Sequence, residues 1–522
     1  PYMLIDIDRS TGKTHRVIAS TDLNYKLSPV FSLTYRLGTT LSISNSRSQL
    51  GATFVTPFTA SYKPSPWGQS TKASVSDFSS TGVRVSSELF LNFKKNIKKF
   101  SIDGLVGNSI LSRQTNSIGN SGANLVIPTL FNVSNRTGEP GVSQGLNQVR
   151  TVSAIGQATI GYDNKIFVTL SGRNDWDSRL PVKANSFFYP GVNTSLMISE
   201  LIPTLKGNTI SSLKLKGSYA KSGNVNLGAY QLNNSFSVGS FPYGNLPGYS
   251  IDDQLKDPNI KPEFIVSKEI GFELAMFKNK VRLEVNAYSQ NNTNQIIGIS
   301  LPASTGYTSS LVNAAAFVNE GIETELSLTP LLDLGKLKID FKGNYTFQQN
   351  KVTKVYEGLD QLSIGNGGLV VVKKGEPAYL LNLLDYNRDP QGRVIVDANT
   401  GTPSLAGARK TYGQTLPKHI IGLTPSISYG DLALSVLFEY RGGNFIYNDI
   451  GQDLVFNGIA ASTVEYDRQP FVWPNSVTQT GSTFTPNTNI YTRSGNANLY
   501  TNSIFNAVES AYYTSADFWK LR

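Results

Sequence analysis

The stretch Lys278–Gln290, KNKVRLEVNAYSQ, decides the fold of this chain. Its apolar residues Val281, Leu283, Val285 and Ala287 alternate with Arg282, Glu284, Asn286 and Tyr288. The preceding run alternates in the same way, with Ile270, Phe272, Leu274 and Met276 set against Ser267, Glu269, Gly271, Glu273 and Ala275. A period of two places one apolar and one polar set on opposite faces of a strand. Because only Lys278 and Asn279 separate the runs, the sequence predicts two strands joined by a tight hairpin.

The same alternation continues along most of the chain and predicts roughly fifteen strands. A water-soluble sheet can use such strands with the apolar face turned inward. A membrane barrel uses them with the apolar face in lipid and the polar face toward an aqueous lumen. The barrel alternative predicts that Leu283, Phe341 and Leu434 lie outside any dry protein core.

The order of the connections favours the barrel. Short turns are predicted near residues 28, 96, 163, 278, 333 and 429, with a longer connector at 200–210. Long segments are predicted at 46–81, 112–147, 222–263, 298–318, 350–417 and 442–514, and they all fall at the opposite ends of the strands. Short periplasmic turns and long extracellular loops are typical of outer-membrane barrels, whereas a soluble sandwich has no reason for this asymmetry. We therefore expect a large antiparallel up-and-down transmembrane β-barrel of the all-β class.

Composition narrows the possible functions. The 522 residues are 39% hydrophobic and only 16% charged, with no cysteine and two histidines. Disulfides, zinc–cysteine sites and thiol catalysis are excluded, and little room remains for histidine-based metal or serine-protease sites. The formal charge of +10 suits anionic ligands or lipid phosphates, or reflects acidic segments that are missing. No basic stretch interleaved with aromatics indicates nucleic-acid binding. No catalytic constellation, phosphate loop or cofactor motif is present, so we expect a protein that is not an enzyme.

Charged residues on the polar strand faces are the first candidate functional set. They are predicted to line the lumen at Arg84, Glu88, Lys214, Lys216, Glu269, Glu273, Arg282, Glu284, Lys338 and Asp340. The carboxylates of Glu263, Glu269 and Glu273 could be paired for acid–base chemistry, but their neighbours Arg282 and Glu284 favour a charge network in the lumen.

The long loops supply two further candidates. Aromatic residues there could stack on sugars, anchor an interface, or pack loops on one another; they are Trp67, Phe241, Tyr243, Tyr249, Phe471 and Trp473. Oxygen-bearing side chains alternate at Asp385, Asn387 and Asp389, as in a calcium loop. Pro390 stands where an EF-hand needs glycine, so a turn is favoured over a metal site.

Several motifs, in one order along the chain, resemble those of the SusC-type TonB-dependent transporters of Bacteroidetes outer membranes. They are Ser171–Pro190 (SGRNDWDSRLPVKANSFFYP), Leu213–Asn224 (LKLKGSYAKSGN), Asn259–Leu274 (NIKPEFIVSKEIGFEL), Val312–Leu326 (VNAAAFVNEGIETEL), Leu416–Asn444 and Ser515–Arg522 (SADFWKLR). Residues 1–150 fit this family by alternation rather than by motif.

The resemblance implies that residues 1–522 form part of a 22-stranded barrel, with the N-terminal plug and the TonB-box segment outside this chain. It implies TonB-driven uptake of oligosaccharide or peptide under a SusD-like lipoprotein lid. The resemblance also implies contacts with outer-membrane lipid or lipopolysaccharide and a dimer of transporter–lipoprotein pairs. A passive porin or structural channel, and a secreted β-rich adhesin or carbohydrate-binding protein, stay open as alternatives.

Overall fold

The computed structural model describes residues 8–52, 72–243, 246–364, 368–457, 459–461, 471–491 and 508–522. The strands of the first two-thirds of the chain are β1 (Arg9–Lys26), β2 (Phe31–Leu50), β3 (Ser74–Ile97), β4 (Phe100–Gly122), β5 (Gly141–Tyr162), β6 (Ile166–Asp177), β7 (Ser186–Met197), β8 (Ile210–Asn224), β9 (Phe236–Tyr243), β10 (Leu246–Ile251), β11 (Gln254–Lys256), β12 (Glu263–Met276), β13 (Val281–Ser300), β14 (Ser309–Leu334) and β15 (Leu337–Val355).

The later strands are shorter on average. They are β16 (Gln361–Ile364), β17 (Val370–Lys373), β18 (Leu380–Leu383), β19 (Val394–Val396), β20 (Lys410–Gln414), β21 (His419–Tyr429), β22 (Leu432–Ser435), β23 (Phe438–Gly442), β24 (Phe445–Tyr447), β25 (Phe471–Val472), β26 (Ser476–Thr480), β27 (Thr483–Pro486), β28 (Ile490–Tyr491), β29 (Tyr513–Ser515) and β30 (Phe518–Leu521). The helices are α1 (Ile198–Leu201) and α2 (Asp449–Phe456), with 3₁₀ turns at Pro203–Leu205, Ala303–Thr305 and Glu509–Tyr512.

Seventeen strands form one antiparallel sheet, which contains β1–β8, β11–β15, β21–β23 and β30. The remaining strands form small sheets of two to four strands. The chain divides into two compact units. The first comprises Pro1–Asn193, Lys221–Glu263 and Pro302–Ser310, and the second comprises Thr194–Ala220, Phe264–Leu301 and Leu311–Arg522. In the described residues, no helix has the length and apolar character needed to span a membrane.

The hairpin of β12 and β13 has the predicted register. Leu274 lies opposite Leu283 and Phe272 opposite Val285, so apolar side chains meet on one face. On the other face Glu273 lies opposite Glu284. The connection is longer than the predicted two residues, because Phe277 and Lys280 also leave the ladder. Phe277, Lys278 and Asn279 all have positive φ, at 50°, 57° and 68°. This left-handed conformation closes the four-residue turn.

The strands of the first unit are longer than the alternation predicts. Half of the segment predicted as a loop at 112–147 is strand, since β4 continues to Gly122 and β5 begins at Gly141. Likewise β2 reaches Leu50 and β3 begins at Ser74, so the predicted loop at 46–81 is shortened from both sides. Serine, glycine and asparagine in these segments are typical of loops. Here the ladder of each long hairpin satisfies their backbone groups, and this outweighs local propensity.

Other predicted loops also contain regular structure. Strands β9–β11 lie in the predicted 222–263 segment, and the predicted 298–318 loop is reduced because β14 already begins at Ser309. The described parts of the two longest predicted loops also contain regular structure: β16–β20 lie in the segment 350–417, and α2 and β24–β28 lie in the segment 442–514. The alternation of short and long connections along the large sheet is confirmed.

The three apolar residues named in the barrel prediction do not lie in a core. Leu434 is 63% exposed, and Leu283 and Phe341 are only partly buried, as the barrel alternative predicts. Complete burial occurs elsewhere, for example in the long loops of the second unit, where Val371, Leu383, Val477 and Val508 are all 0% exposed. The ends of β14 and β15 next to these loops contribute Val312, Ala314 and Val352 to a buried cluster.

Candidate functional site

A charge network lies on the polar face of β8, β12 and β13 in the second unit. Glu273 and Glu284 face each other directly, which repels like charges unless cations intervene. Lys216 donates hydrogen bonds to Glu284 and lies 3.5 Å from Glu273, while Lys214 donates to Glu273 at 3.0 Å. Asn286 also donates to Glu284, at 3.0 Å. The two lysines therefore neutralise a facing carboxylate pair on a partly exposed surface.

A polar groove of about 530 Å³ adjoins this network. Its charged lining comes from Glu273, Arg282, Glu284, Glu325 and Lys342. Mixed charges at this density suit a hydrated passage, since exposed ion pairs are individually weak and are readily exchanged for water or a ligand. The structure thus brings together five of the predicted charges, with Glu273, Arg282 and Glu284 in the groove and Lys214 and Lys216 in the adjoining network.

The other predicted charges lie outside this groove. In the first unit, Arg36 lies 3.1 Å from Asp22 and 3.9 Å from Glu88. Arg84 is exposed opposite Arg113. Glu269 accepts a hydrogen bond from Ser267 at 3.1 Å. Lys338 lies 4.0 Å from Asp333, and Asp340 lies opposite Ser426.

The opposite face of the second unit is apolar and ends in aromatic residues. Tyr345 lies opposite Ile421, Ile421 opposite Tyr440, and Tyr440 opposite Trp519. The rings of Tyr440 and Trp519 are 5.0 Å apart. This aromatic row crosses β15, β21, β23 and β30 at one level, toward the long loops. Tyr429 marks the other end of the face, beside the short turn.

The first unit repeats this arrangement. Phe100 and Tyr162 pair beside the short turns, with ring centroids 5.0 Å apart. Toward the long loops, Trp176 lies opposite Val152 and is 42% exposed. Arg173 and Asp175, on the other face of the same strand, pair at 2.7 Å, as expected for a local ion pair. Aromatic residues at both ends of an apolar band are typical of the two interfaces of a membrane.

The long loops of the second unit form what we call the loop lobe, the described parts of residues 361–414, 471–491 and 508–515. Two segments far apart in sequence join there. Glu509 accepts hydrogen bonds from both guanidinium nitrogens of Arg409 and from the backbone N–H of Leu384, the latter at 2.8 Å. Ser510 donates its backbone N–H to Leu384 at 3.0 Å and its hydroxyl to Asp385 at 2.8 Å.

Asp385 is the most perturbed carboxylate of the loop lobe. Burial disfavours its charged form, but hydrogen bonds from Arg388, Ser510 and the backbone N–H of Tyr386 outweigh this and lower its pKa to about 2. Arg388 donates to both carboxylate oxygens, at 2.9 and 3.1 Å. The ionised carboxylate is therefore a structural element that holds the segments together.

The two carboxylates of the 385–389 segment accept hydrogen bonds from protein groups. Asp389 is held by Arg393 at 2.6 Å, and Asn387 donates to Ser404 at 3.0 Å. Gly392 closes a turn on Asp389, with φ of 82°. Within the described ranges, no group of three or more acidic or histidine side chains is arranged to hold a metal ion. The turn interpretation fits this geometry.

The predicted loop aromatics fall into three groups. Trp67 lies outside the described residues, as do the side chains of Phe241 and Tyr243 on β9. Tyr249 on β10 is 67% exposed. Phe471 and Trp473 pack on each other at 5.8 Å, and Trp473 meets Tyr386 edge-on at 5.6 Å. These two aromatics therefore contact other parts of the loop lobe.

Sequence reasoning missed the Arg409–Glu509 pair and the role of Asp385. The partners lie 100 and 125 residues apart along the chain, and no local pattern connects them. One signal was available: Leu380, Leu381 and Leu383 form a short apolar run inside a polar segment, and it is now seen to be fully buried.

Comparisons with known proteins agree with this architecture. A family model described as "TonB dependent receptor-like, beta-barrel" matches residues 5–453. The TonB-dependent receptor P39 of Formosa agariphila is 24% identical over 501 residues, covering 83% of this chain and 45% of that protein. The TonB-dependent receptor P26 of the same organism is 25% identical, covering 57% of this chain and 32% of that protein. The chain thus spans less than half the length of these relatives.

Solved structures give the same fold. The RagAB peptide importer in its closed-closed state superposes with a TM-score of 0.78 at 17% identity, covering 99% of this chain and 55% of that chain. Another structure of the RagAB peptide transporter gives a TM-score of 0.74 at 18% identity, covering 88% of this chain and 51% of that chain.

Proposed function

Because this chain belongs to the family of TonB-dependent receptor-like β-barrels, which are outer-membrane proteins, we propose that it forms barrel strands of a nutrient importer. Uptake would be active and TonB-dependent, and the cargo an oligosaccharide or a peptide. The protein would move its cargo without changing it chemically. Its outer-membrane location removes the alternative of a secreted adhesin.

The observation that carries the proposal is the opposite character of the two strand faces. In the first unit, the distance along β5 between Tyr162 and Val152, which lies opposite Trp176, is about 33 Å at about 3.3 Å per residue. A strand tilt of about 40° reduces this to about 25 Å along the membrane normal, the height of the apolar band of an outer-membrane barrel. The polar face, with its Lys216–Glu284 network, would line the aqueous path.

The finer parts of the proposal concern the partners. A SusD-like surface lipoprotein would cover the long loops, TonB would act through a segment outside this chain, and transporter–lipoprotein pairs could form dimers. Support comes from the ordered motifs from Ser171 to Arg522, and from the RagAB neighbours, which are named as peptide importers. The mixed charges of the groove beside Glu273 suit a zwitterionic cargo such as a peptide, whereas exposed Tyr249 could stack on a sugar.

Uptake measurements test active transport. Cells that produce the full-length protein would be given labelled oligosaccharide and peptide pools from their natural medium, with and without a functional TonB system. We expect import to stop when TonB is deleted. Undiminished import would favour the passive porin instead.

Purification of the native complex tests the lid. The full-length protein, tagged and extracted in mild detergent, should retain one lipoprotein in stoichiometric amount. A matched preparation of an unrelated outer-membrane barrel from the same cells controls for adventitious lipoproteins. If the barrel were recovered alone from cells that still import the cargo, the lid would be rejected and the transport proposal would stand.

A further inference from the structure

Four strands of the first unit continue far beyond the level of Trp176. That level crosses Val152 on β5, Ile110 on β4, Ser87 on β3 and Leu37 on β2. The registers of these strands run without interruption to their ends at Gly141, Gly122, Ser74 and Leu50. The face that carries Trp176 therefore continues past the level of Trp176 for about 12 residues, or about 30 Å along the membrane normal.

Toward the short turns this face is apolar, with Leu91, Leu33 and Val106 in one row. On β2 and β3 it stays apolar beyond the level of Trp176, through Leu41 and Ile43 and through Val85 and Val83. Beyond these residues, and directly above Trp176 on β4 and β5, amides alternate with single aliphatic side chains; these residues are Asn45, Gln114, Asn116, Ile118, Asn120, Gln144, Leu146 and Gln148. Ile118 and Leu146 are 52% and 56% exposed. A face that meets bulk water needs no exposed aliphatic residues at regular intervals, and a face in hydrocarbon does not tolerate amides.

A groove of about 590 Å³ lies on this amide face. At its floor Arg47 donates two hydrogen bonds to Asp77, at 2.6 and 2.9 Å. Asn45, Ile118 and Asn120 lie around this pair. The volume falls in the range of about 300–1,000 Å³ that holds small ligands. Both members of the ion pair are partly exposed, at 46% and 36%, so their remaining donors and lone pairs face the groove.

We propose that this groove binds the saccharide chain of the outer-leaflet glycolipid that surrounds the barrel. Saccharides present hydroxyl groups, which amides and an Arg–Asp pair can both donate to and accept from, and C–H faces, which pack on an exposed aliphatic residue such as Ile118. The location supports this occupant, because the groove lies directly above the lipid-facing band on the same face. The proposal rests on the outer-membrane location and not on the proposed import.

Binding of a lipid-free saccharide tests the site. The probe is the oligosaccharide released from the organism's own lipopolysaccharide by mild acid, free of lipid A, titrated calorimetrically into the purified full-length protein. We expect the double variant R47A/D77A, which removes the pair without leaving an unpaired charge, to weaken binding at least tenfold. The variant I118S should weaken it by a few-fold.

Arg113 offers a matched control on the same strand as Ile118. Its side chain is exposed but lies on the opposite face, so R113A should change the affinity less than twofold. Equal losses in R113A and R47A/D77A would overturn the site. So would retention of intact lipopolysaccharide with no binding of the free saccharide, since acyl chains alone would then explain the contact. The proposal would also be overturned if a protein bound this face and the free saccharide did not compete with it.

Discussion

The β12–β13 hairpin and the loop lobe belong to the same unit but are stabilised in opposite ways. In the hairpin, Ile270 is 71% exposed and Glu269 on the other face is also exposed, so neither face is covered by protein. In the loop lobe, Val371 and Leu383 are fully buried and Asp385 is held by a guanidinium group. The hairpin depends on the media on its two sides, whereas the lobe has an apolar core of the kind found in water-soluble domains.

The variant with the largest expected effect tests whether the apolar face of the β12–β13 hairpin is in contact with lipid. Ile270 lies about 15 Å above the short turn after allowing for strand tilt, near the middle of an apolar band of about 25 Å. We expect I270R to destabilise the folded protein in lipid bilayers, lowering its free energy of unfolding by about 2–4 kcal/mol. Reversible unfolding of the full-length protein from bilayers in denaturant measures this.

The neighbouring residue on the other face supplies the control. The variant E269R introduces the same side chain toward water and should change the free energy by less than about 1 kcal/mol. A position exposed to water would tolerate arginine equally well on either face. If I270R lowered the free energy of unfolding no more than E269R does, the apolar face would not be in lipid.

The next prediction concerns the hydrogen bonds by which Glu509 joins the two distant segments of the loop lobe. Glu509 is 16% exposed and accepts from Arg409 and from the backbone of Leu384, so E509Q loses a charge-assisted pair and weakens a buried acceptor. We expect the lobe to lose about 2 kcal/mol of local stability. Hydrogen exchange at the amides of Leu384 and Ser510 should accelerate about 30-fold.

Two further variants make this result specific. Glu376 is an exposed carboxylate of the lobe, and E376Q should leave exchange within about twofold. Replacing both partners, in R409Q/E509Q, should cost less than the sum of the single changes, because neither charge is then left unpaired. Additive losses would mean that the two residues act separately.

The contrast between the regions also explains how far the sequence could be interpreted. Alternation predicted the register of β12–β13 and the exposure of Leu434, because each depends only on the period of two and the identity of each side chain. It failed beyond the apolar band at 112–122 and 141–147, where single aliphatic residues such as Ile118 and Leu146 stand among serines, glycines and amides and the period carries too little signal.

The loop lobe could not be predicted for a different reason. Its strands are short, as in Leu380–Leu383, and its joints bring Glu509 to Leu384 across 125 residues. Propensity and periodicity describe neighbours along the chain and contain no information about such partners. The ordered motifs of Ser171–Pro190 and Leu213–Asn224 indicated the family, but not which charges of the groove come together.

A smaller effect concerns pH. The pKa of Asp385 is lowered to about 2, against about 3.9 in an unfolded chain, so ionised Asp385 stabilises the lobe above the unfolded value. The contribution is about 2 kcal/mol and is lost as pH falls through the folded value. We expect the stability of the lobe, followed by hydrogen exchange corrected for intrinsic rates, to fall between about pH 4 and pH 2. D385N should remove this step and lower stability at neutral pH.

The smallest expected effect concerns calcium, which Asp385, Asn387 and Asp389 could bind if their oxygens were free. Arg388 and Arg393 occupy the two carboxylates, and a cation would have to displace both guanidinium groups. We expect millimolar calcium to change exchange across residues 385–393 by less than about twofold. The double variant R388Q/R393Q frees the carboxylates and is the one form in which calcium should slow exchange. Protection of the unmodified protein by calcium, reversed by chelation, would show that the loop lobe is held by a metal and not by its own ion pairs.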